Sequence, residues 1–272
     1  MLIPKKTPGH QWNRPWTYAL AWASIHLTSL TTTITTFAKN CLVNSSQRKD
    51  TSGEDLILFS KCGVRYPHPS QPEVRIRYID TSAKHIKRSI DESLRKLHTD
   101  YIDIFLLDHL DAISNLEETA LALEQSLRAG KIRNIGVANF SVFQHQLLSS
   151  YLQSPVVTHH LELNLLHTAP LRSGQLDYIK QKYMRPIASA PVAGGRIAFG
   201  NDEISVKLRN KLQSLAPKYN KDIESLAVAW LIKLGALPLI GTKEERRIRN
   251  IAAAFDIDLD HQDWYDLLQA AD

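Results

Sequence analysis

The sequence predicts an α/β fold of parallel strands, and three observations carry that prediction. From about residue 55 onward, apolar runs of buried-strand length alternate with segments of helical periodicity. Cap and stop residues stand where those segments begin and end. Only two cysteines occur in 272 residues, Cys41 and Cys62, which leaves a hydrophobic core as the organising force. A disulfide scaffold and a multi-cysteine metal cluster are excluded, and no metal is expected.

The runs that read as strands are 56–60, 102–108, 132–137, 156–163, 185–190 and 237–241. Between them, Ala83, Ile86, Ile90, Leu94 and Leu97 follow the spacing of one helix face, with Ser82 as N-cap. Asn115 with Glu118 resembles a capping box, Leu116, Ala120, Leu123 and Leu127 form the stripe, and Gly130 stops it. Ser141 opens a helix bearing Val142, Leu147, Leu148 and Tyr151. Further helices are expected at about 172–182, 202–216, 222–234, 243–254 and 260–270. Such alternation joins parallel strands by right-handed crossovers. Six strands suit a doubly wound sheet or most of a (β/α)8 barrel. The missing early GxGxxG argues against the dinucleotide-binding open sheet.

Residues 1–54 read differently. The net charge is +5, yet 1–49 hold six basic residues and no acid, while 50–272 hold 27 basic and 28 acidic residues. The body thus lacks the basic face of a nucleic-acid binder. The stretch 16–37, rich in Thr, Ser and aromatics, is interrupted by polar residues and His26 too often for a membrane span. Its apolar core is short for a secretory signal. No membrane partner is expected, and the cytoplasm is the expected location.

Six motifs in the body, in order, carry a resemblance to the aldo-keto reductases: LFSKCG (58–63), LRKLHTDYIDIFLLDHLD (94–111), AGKIRNIGVANF (129–140), THHLELNLLH (158–167), RPIASAPVAGGRI (185–197) and PLIGTKEERRIRN (238–250). They are spread through a body, 55–272, that makes up about four-fifths of the chain, and are closest to a bacterial subgroup of oxidoreductases. The resemblance implies a (β/α)8 barrel, a nicotinamide cofactor, NADP, and a small-molecule carbonyl substrate. In the family's reaction hydride passes to a carbonyl carbon, a tyrosine gives the proton, a lysine and an aspartate tune that tyrosine, and a histidine orients the carbonyl. Lys61 matches the family lysine. Asn139 matches the asparagine that holds the nicotinamide carboxamide, with Ala138 in place of its serine partner. Gly194, Gly195 and Arg196 fall where the pyrophosphate is approached. Thr242, Lys243 and Arg247 fall where the 2′-phosphate of NADP is bound.

The departures are as informative. Aligned without a gap, Asp108 takes the family histidine's place and His109 follows it. A one-residue slip on a strand turns a side chain to the opposite face, so His109 reaches the site only if the strand end distorts. His160 replaces the glutamine that supports the carboxamide. Ser189 replaces a stacking ring, a loss of roughly 150–250 Å² of buried aromatic surface. The family's aspartate and tyrosine have no matching text in 1–54. Tyr18 lacks their context, and Tyr66 and Tyr78 are the surrogates the body offers. Residues 1–54 are therefore expected to be a replaced or out-of-frame counterpart of the first two β/α units, ahead of a barrel body at 55–272. Two functions remain open: an NADP-dependent carbonyl oxidoreductase, or a non-catalytic relative, meaning a nucleotide-binding or regulatory module or a decayed gene product.

Overall fold

The computed structural model describes residues 57–69, 71–242 and 244–272. They fall into two compact units, Met1–Val157 and Thr158–Asp272. The atypical segment 1–54, with Tyr18 and Cys41, lies outside the described residues.

In the first unit, strand β1 (Phe59–Cys62) pairs in parallel with β4 (Ile104–Asp108), and β4 with β5 (Ile135–Ala138). A short antiparallel pair, β2 (Val64–Arg65) and β3 (Tyr78–Ile79), follows β1. Helix α1 (Ala83–Leu97) packs against β1 and against α2 (Leu116–Arg128); α3 (Val142–Ser149) follows β5. The predicted caps form. The Ser82 hydroxyl accepts from the His85 amide at 3.3 Å, and Asn115 accepts from the Glu117 and Glu118 amides. The reciprocal capping box lies instead at Ser141, whose hydroxyl and the Gln144 side chain exchange bonds with each other's backbone. The core is the strand text itself: Phe105, Leu106, Leu107, Ile135 and Val137 are fully buried, with Ile86, Ile90 and Leu123 from the helices.

In the second unit, β6 (Val156–Glu162), β7 (Arg185–Ser189) and β8 (Leu237–Pro238) run parallel. The predicted run 237–241 yields only two residues of strand, because Pro238 has no N–H to offer a ladder. The helix expected at 172–182 is two helices, α4 (Ala169–Arg172) and α5 (Gln175–Gln181), divided at Gly174 with φ +76°. After β7 come a 3₁₀ turn (Ala193–Gly195), α6 (Arg196–Phe199), α7 (Glu203–Tyr219) and α8 (Ile223–Lys233). After β8 come α9 (Glu245–Ala252), a 3₁₀ turn (Ala253–Asp256) and α10 (His261–Ala270). Asp202, Asp222 and Asp260 cap α7, α8 and α10 through their side chains. No described helix is long and apolar enough to cross a membrane.

Candidate active site

The first unit gathers four predicted residues into one cluster at the C-terminal ends of β1, β4 and β5. In the β1–β4 ladder Lys61 stands opposite Leu106. Side chains alternate along a strand, so Asp108, two residues on, shares the face of Leu106 and Lys61. Lys61 Nζ lies 2.9 Å from Asp108 Oδ2. Asn139 Nδ2 donates to Asp108 Oδ1 at 2.7 Å, and His109 Nδ1 lies 2.8 Å from the same oxygen.

His109 reaches the cluster through its backbone. Its amide still continues the ladder, donating to Ala138 O at 2.9 Å, but its φ is +63°. The left-handed turn, rather than an inserted bulge residue, brings the ring back over the Asp108 carboxylate. Asn139 has φ +58°, a conformation that Asn tolerates better than most residues. Both strand ends curl at matching positions, which puts two polar side chains on one buried carboxylate.

Asp108 is 3% exposed. Burial alone would raise its carboxyl pKa. The Lys61 charge, the hydrogen bonds from Lys61 and Asn139, and the neighbouring His109 outweigh burial and hold it below the ordinary value. Asp108 is therefore a carboxylate near neutrality, acceptor-only, with three donors. Next to Lys61, burial first, then Asp80 and Asp108, push the Cys62 thiol far above its usual range, so Cys62 is an inert core thiol.

Of the two surrogate tyrosines, Tyr66 lines a cleft with Lys61, Arg65, Gln71, His85 and Arg88. The Arg77 guanidinium lies 5.7 Å from the Tyr66 ring centre, and that of Arg65 5.7 Å from the Tyr78 ring. Tyr78 is not among the lining residues of that cleft.

The second unit carries the remaining predicted positions. His160 is buried on β6 opposite Ile187 of β7. Ser189 ends β7 opposite Glu162, and its carbonyl accepts from Leu163 N at 3.5 Å. Gly194 and Gly195 both have positive φ. The amides of Gly195 and Arg196 donate to the carbonyls of Val192 and Ala193, so the turn uses two of the donors that a phosphate would need. The Arg196 side chain pairs with Asp202 at 3.1 Å on the surface. Thr242 Oγ1 accepts from Glu244 N at 3.2 Å just before α9. Lys243 lies outside the described residues. Arg247 meets Glu224 twice, Nη2–Oε1 at 2.5 Å and Nε–Oε2 at 3.2 Å.

Glu224 escaped the sequence reading, whereas Asn164 lies within the motif 158–167 and was readable as a polar group there. Glu224, in the first turn of α8, had only its place after the Asp222 cap as a signal. Asn164 is fully buried; its Oδ1 accepts from Leu166 N, while Nδ2 has no partner among the described residues. Asn164 follows β6 closely, and an unmet buried donor there costs about 1–3 kcal/mol, which an acceptor on a ligand or a water would relieve. Among the described residues no group of His, Cys, Asp or Glu has the makings of a metal site.

Comparison with known proteins gives the family and the fold. The aldo/keto reductase family model matches residues 36–272. A 6-dehydroglucose reductase of Agrobacterium fabrum is 32% identical over 223 residues, covering 80% of this chain and 73% of that protein. Oxidoreductase YdhF of Escherichia coli is 32% identical over 221 residues, with the same shares. The thermostable aldo-keto reductase Tm1743, solved with epalrestat, superposes with a TM-score of 0.69 at 25% identity, over 86% of this chain and 77% of that one. The glycerol dehydrogenase AKR11B4 of Gluconobacter oxydans gives 0.74 at 20% identity, over 86% and 76%, and speaks for the fold alone. Both solved structures are (β/α)8 barrels.

Proposed function

The chain belongs to the aldo/keto reductase family, it is an oxidoreductase of the (β/α)8 class, and from that premise we propose that it interconverts a small-molecule carbonyl and its alcohol with NADP in the cytoplasm. The observation that carries this reading is the Lys61–Asp108 ion pair with His109 and Asn139 on the same carboxylate. Its position at the C-terminal ends of adjacent parallel strands is where barrel enzymes do their chemistry.

Each unit by itself holds donors and acceptors that suit a part of a nicotinamide dinucleotide. Asn139 gives its N–H to Asp108 and keeps Oδ1 as an acceptor for a carboxamide. The unmet Nδ2 of Asn164 asks for an acceptor. Thr242 and Arg247, at the start of α9, put a hydroxyl and a cation where a phosphate dianion is favoured. When bound, the reduced nicotinamide supplies the hydride. The ion pair keeps the Lys61 ammonium fixed, and the N–H groups not turned to Asp108 can steady a developing alkoxide. The A. fabrum relative, by its name a reductase of an oxidised glucose, recommends sugar carbonyls in the substrate set.

The test is NADPH-dependent reduction of a carbonyl panel, oxidised sugars included, with Lys61→Met as control. Turnover that the control loses is the expected result. NADPH binding without turnover favours the non-catalytic relative, and no binding ends the reading.

A further inference from the structure

We propose that His109, backed by Asp108, is the acid–base residue that moves the proton of the redox step. The proposal rests on the oxidoreductase reading. It replaces an orienting histidine with one that exchanges the proton itself.

The argument begins at the carboxylate. Asp108 carries no proton near neutrality, so the hydrogen in the 2.8 Å contact must sit on His109 Nδ1. That fixes the tautomer: neutral His109 has Nε2 as a bare acceptor, and imidazolium His109 has Nε2–H as a donor. Nε2 is on the ring edge away from Asp108. The side chain is 34% exposed, against 4% for Asp108, so the working nitrogen is reachable and its support is not. A buried carboxylate behind one imidazole nitrogen orients the ring, as in a nucleophile–His–Asp arrangement.

Among the described residues the other candidates are Lys61, Asn139 and Tyr66. Lys61 Nζ is at 2.9 Å from Asp108 Oδ2 and faces the same carboxylate from β1. The Asn139 amide reaches it after β5 and does not titrate. Tyr66 lines the cleft beside Lys61 with its ring against Arg77. Among the described residues, the charged groups that bear on His109 are Asp108 directly and Lys61 through it. In the reductive direction the C=O π bond opens, carbon gains a C–H bond with the hydride of the reduced nicotinamide, and oxygen gains an O–H bond as the Nε2–H bond breaks. His109 is left neutral and Asp108 unchanged. In the oxidative direction Nε2 takes the hydroxyl proton.

The full chain is compared with His109→Asn, Asp108→Asn and Tyr66→Phe. Asn suits the left-handed backbone at 109. NADPH affinity by fluorescence, kcat against pH, and the ¹⁵N shifts of the His109 ring are measured on each. His109→Asn should lower kcat about 10²–10⁴-fold, leave NADPH affinity within about twofold, and erase one ionisation from the pH profile. Added imidazole should restore part of the rate. The wild-type ring should show the Nδ1–H tautomer, and Asp108→Asn should lose it. An active wild type whose His109→Asn variant keeps its rate and profile overturns this proposal and leaves the oxidoreductase reading standing, as does loss of activity in Tyr66→Phe alone. A wild-type Nε2–H tautomer overturns it whatever the activity. A wild type that neither binds NADPH nor turns over overturns both readings.

Discussion

At Gly63 the backbone has φ +129°, and a Cβ built there lies 2.2 Å from the Asp108 carbonyl oxygen. The chain leaves β1 so close to the end of β4 that only glycine fits, and its carbonyl then accepts from Asp80 N at 2.7 Å. Gly63→Ala should push Asp108 out of place, costing about 2–4 kcal/mol in urea denaturation and most of the turnover. Lys61 and Asp108 give a pH signature. The Asp108 carboxyl is held below its unfolded value of 3.8, so its contribution to stability is complete above that pH and is lost as pH falls through the folded value. Lys61→Met removes the cation and leaves burial to raise the carboxyl. The acid loss tied to Asp108 should therefore shrink or reverse in the variant relative to the wild type, a difference that denaturation curves between about pH 3 and pH 7 will show. Lys61 was legible as a strand-end lysine. Asp108 and His109 were legible as candidates but their contact was not, because alternation along a strand assigns them opposite faces and the backbone turn at His109 reverses that.

Helices α8 and α10 are joined by a reciprocal tryptophan pair. The Trp230 and Trp264 rings stack at 5.0 Å, and each indole N–H donates to the other residue's carbonyl, at 3.2 and 3.0 Å. Trp264→Phe keeps most of the apolar area but leaves the Trp230 carbonyl unmet, so a loss of about 1–3 kcal/mol is expected by thermal or urea melting. Between α8 and α9, Glu224 and Arg247 form a two-point ion pair with side chains 13% and 27% exposed. On the NADP reading, Glu224 would compete with a 2′-phosphate for the same guanidinium. Glu224→Gln should shift the ratio of NADPH to NADH affinity toward NADPH by about three- to tenfold, measured by cofactor titration. The caps at Ser82, Asn115 and Ser141 were readable from sequence because capping is a local exchange over three residues. Strand extents were less so. β1 runs through Lys61 and Cys62 rather than ending at Ser60, since its register is fixed by pairing with β4, more than forty residues away.

For the whole molecule, the dinucleotide should be a stabilising ligand. At about a hundred times its Kd, NADPH adds about 2.7 kcal/mol, which raises the melting temperature by several degrees in differential scanning. The absence of any shift would count against cofactor binding. The charge division belongs to this scale too: the acid-free 1–49 contrast with a body of nearly balanced charge. The strand–helix alternation, the helix caps, the family and Lys61 were determined by the sequence alone, because periodicity, capping and ordered motifs are local in the chain. The tertiary structure decided where Asp108, His109 and Asn139 meet. Their meeting depends on the register of three strands and on two left-handed residues at strand ends, which no local pattern encodes.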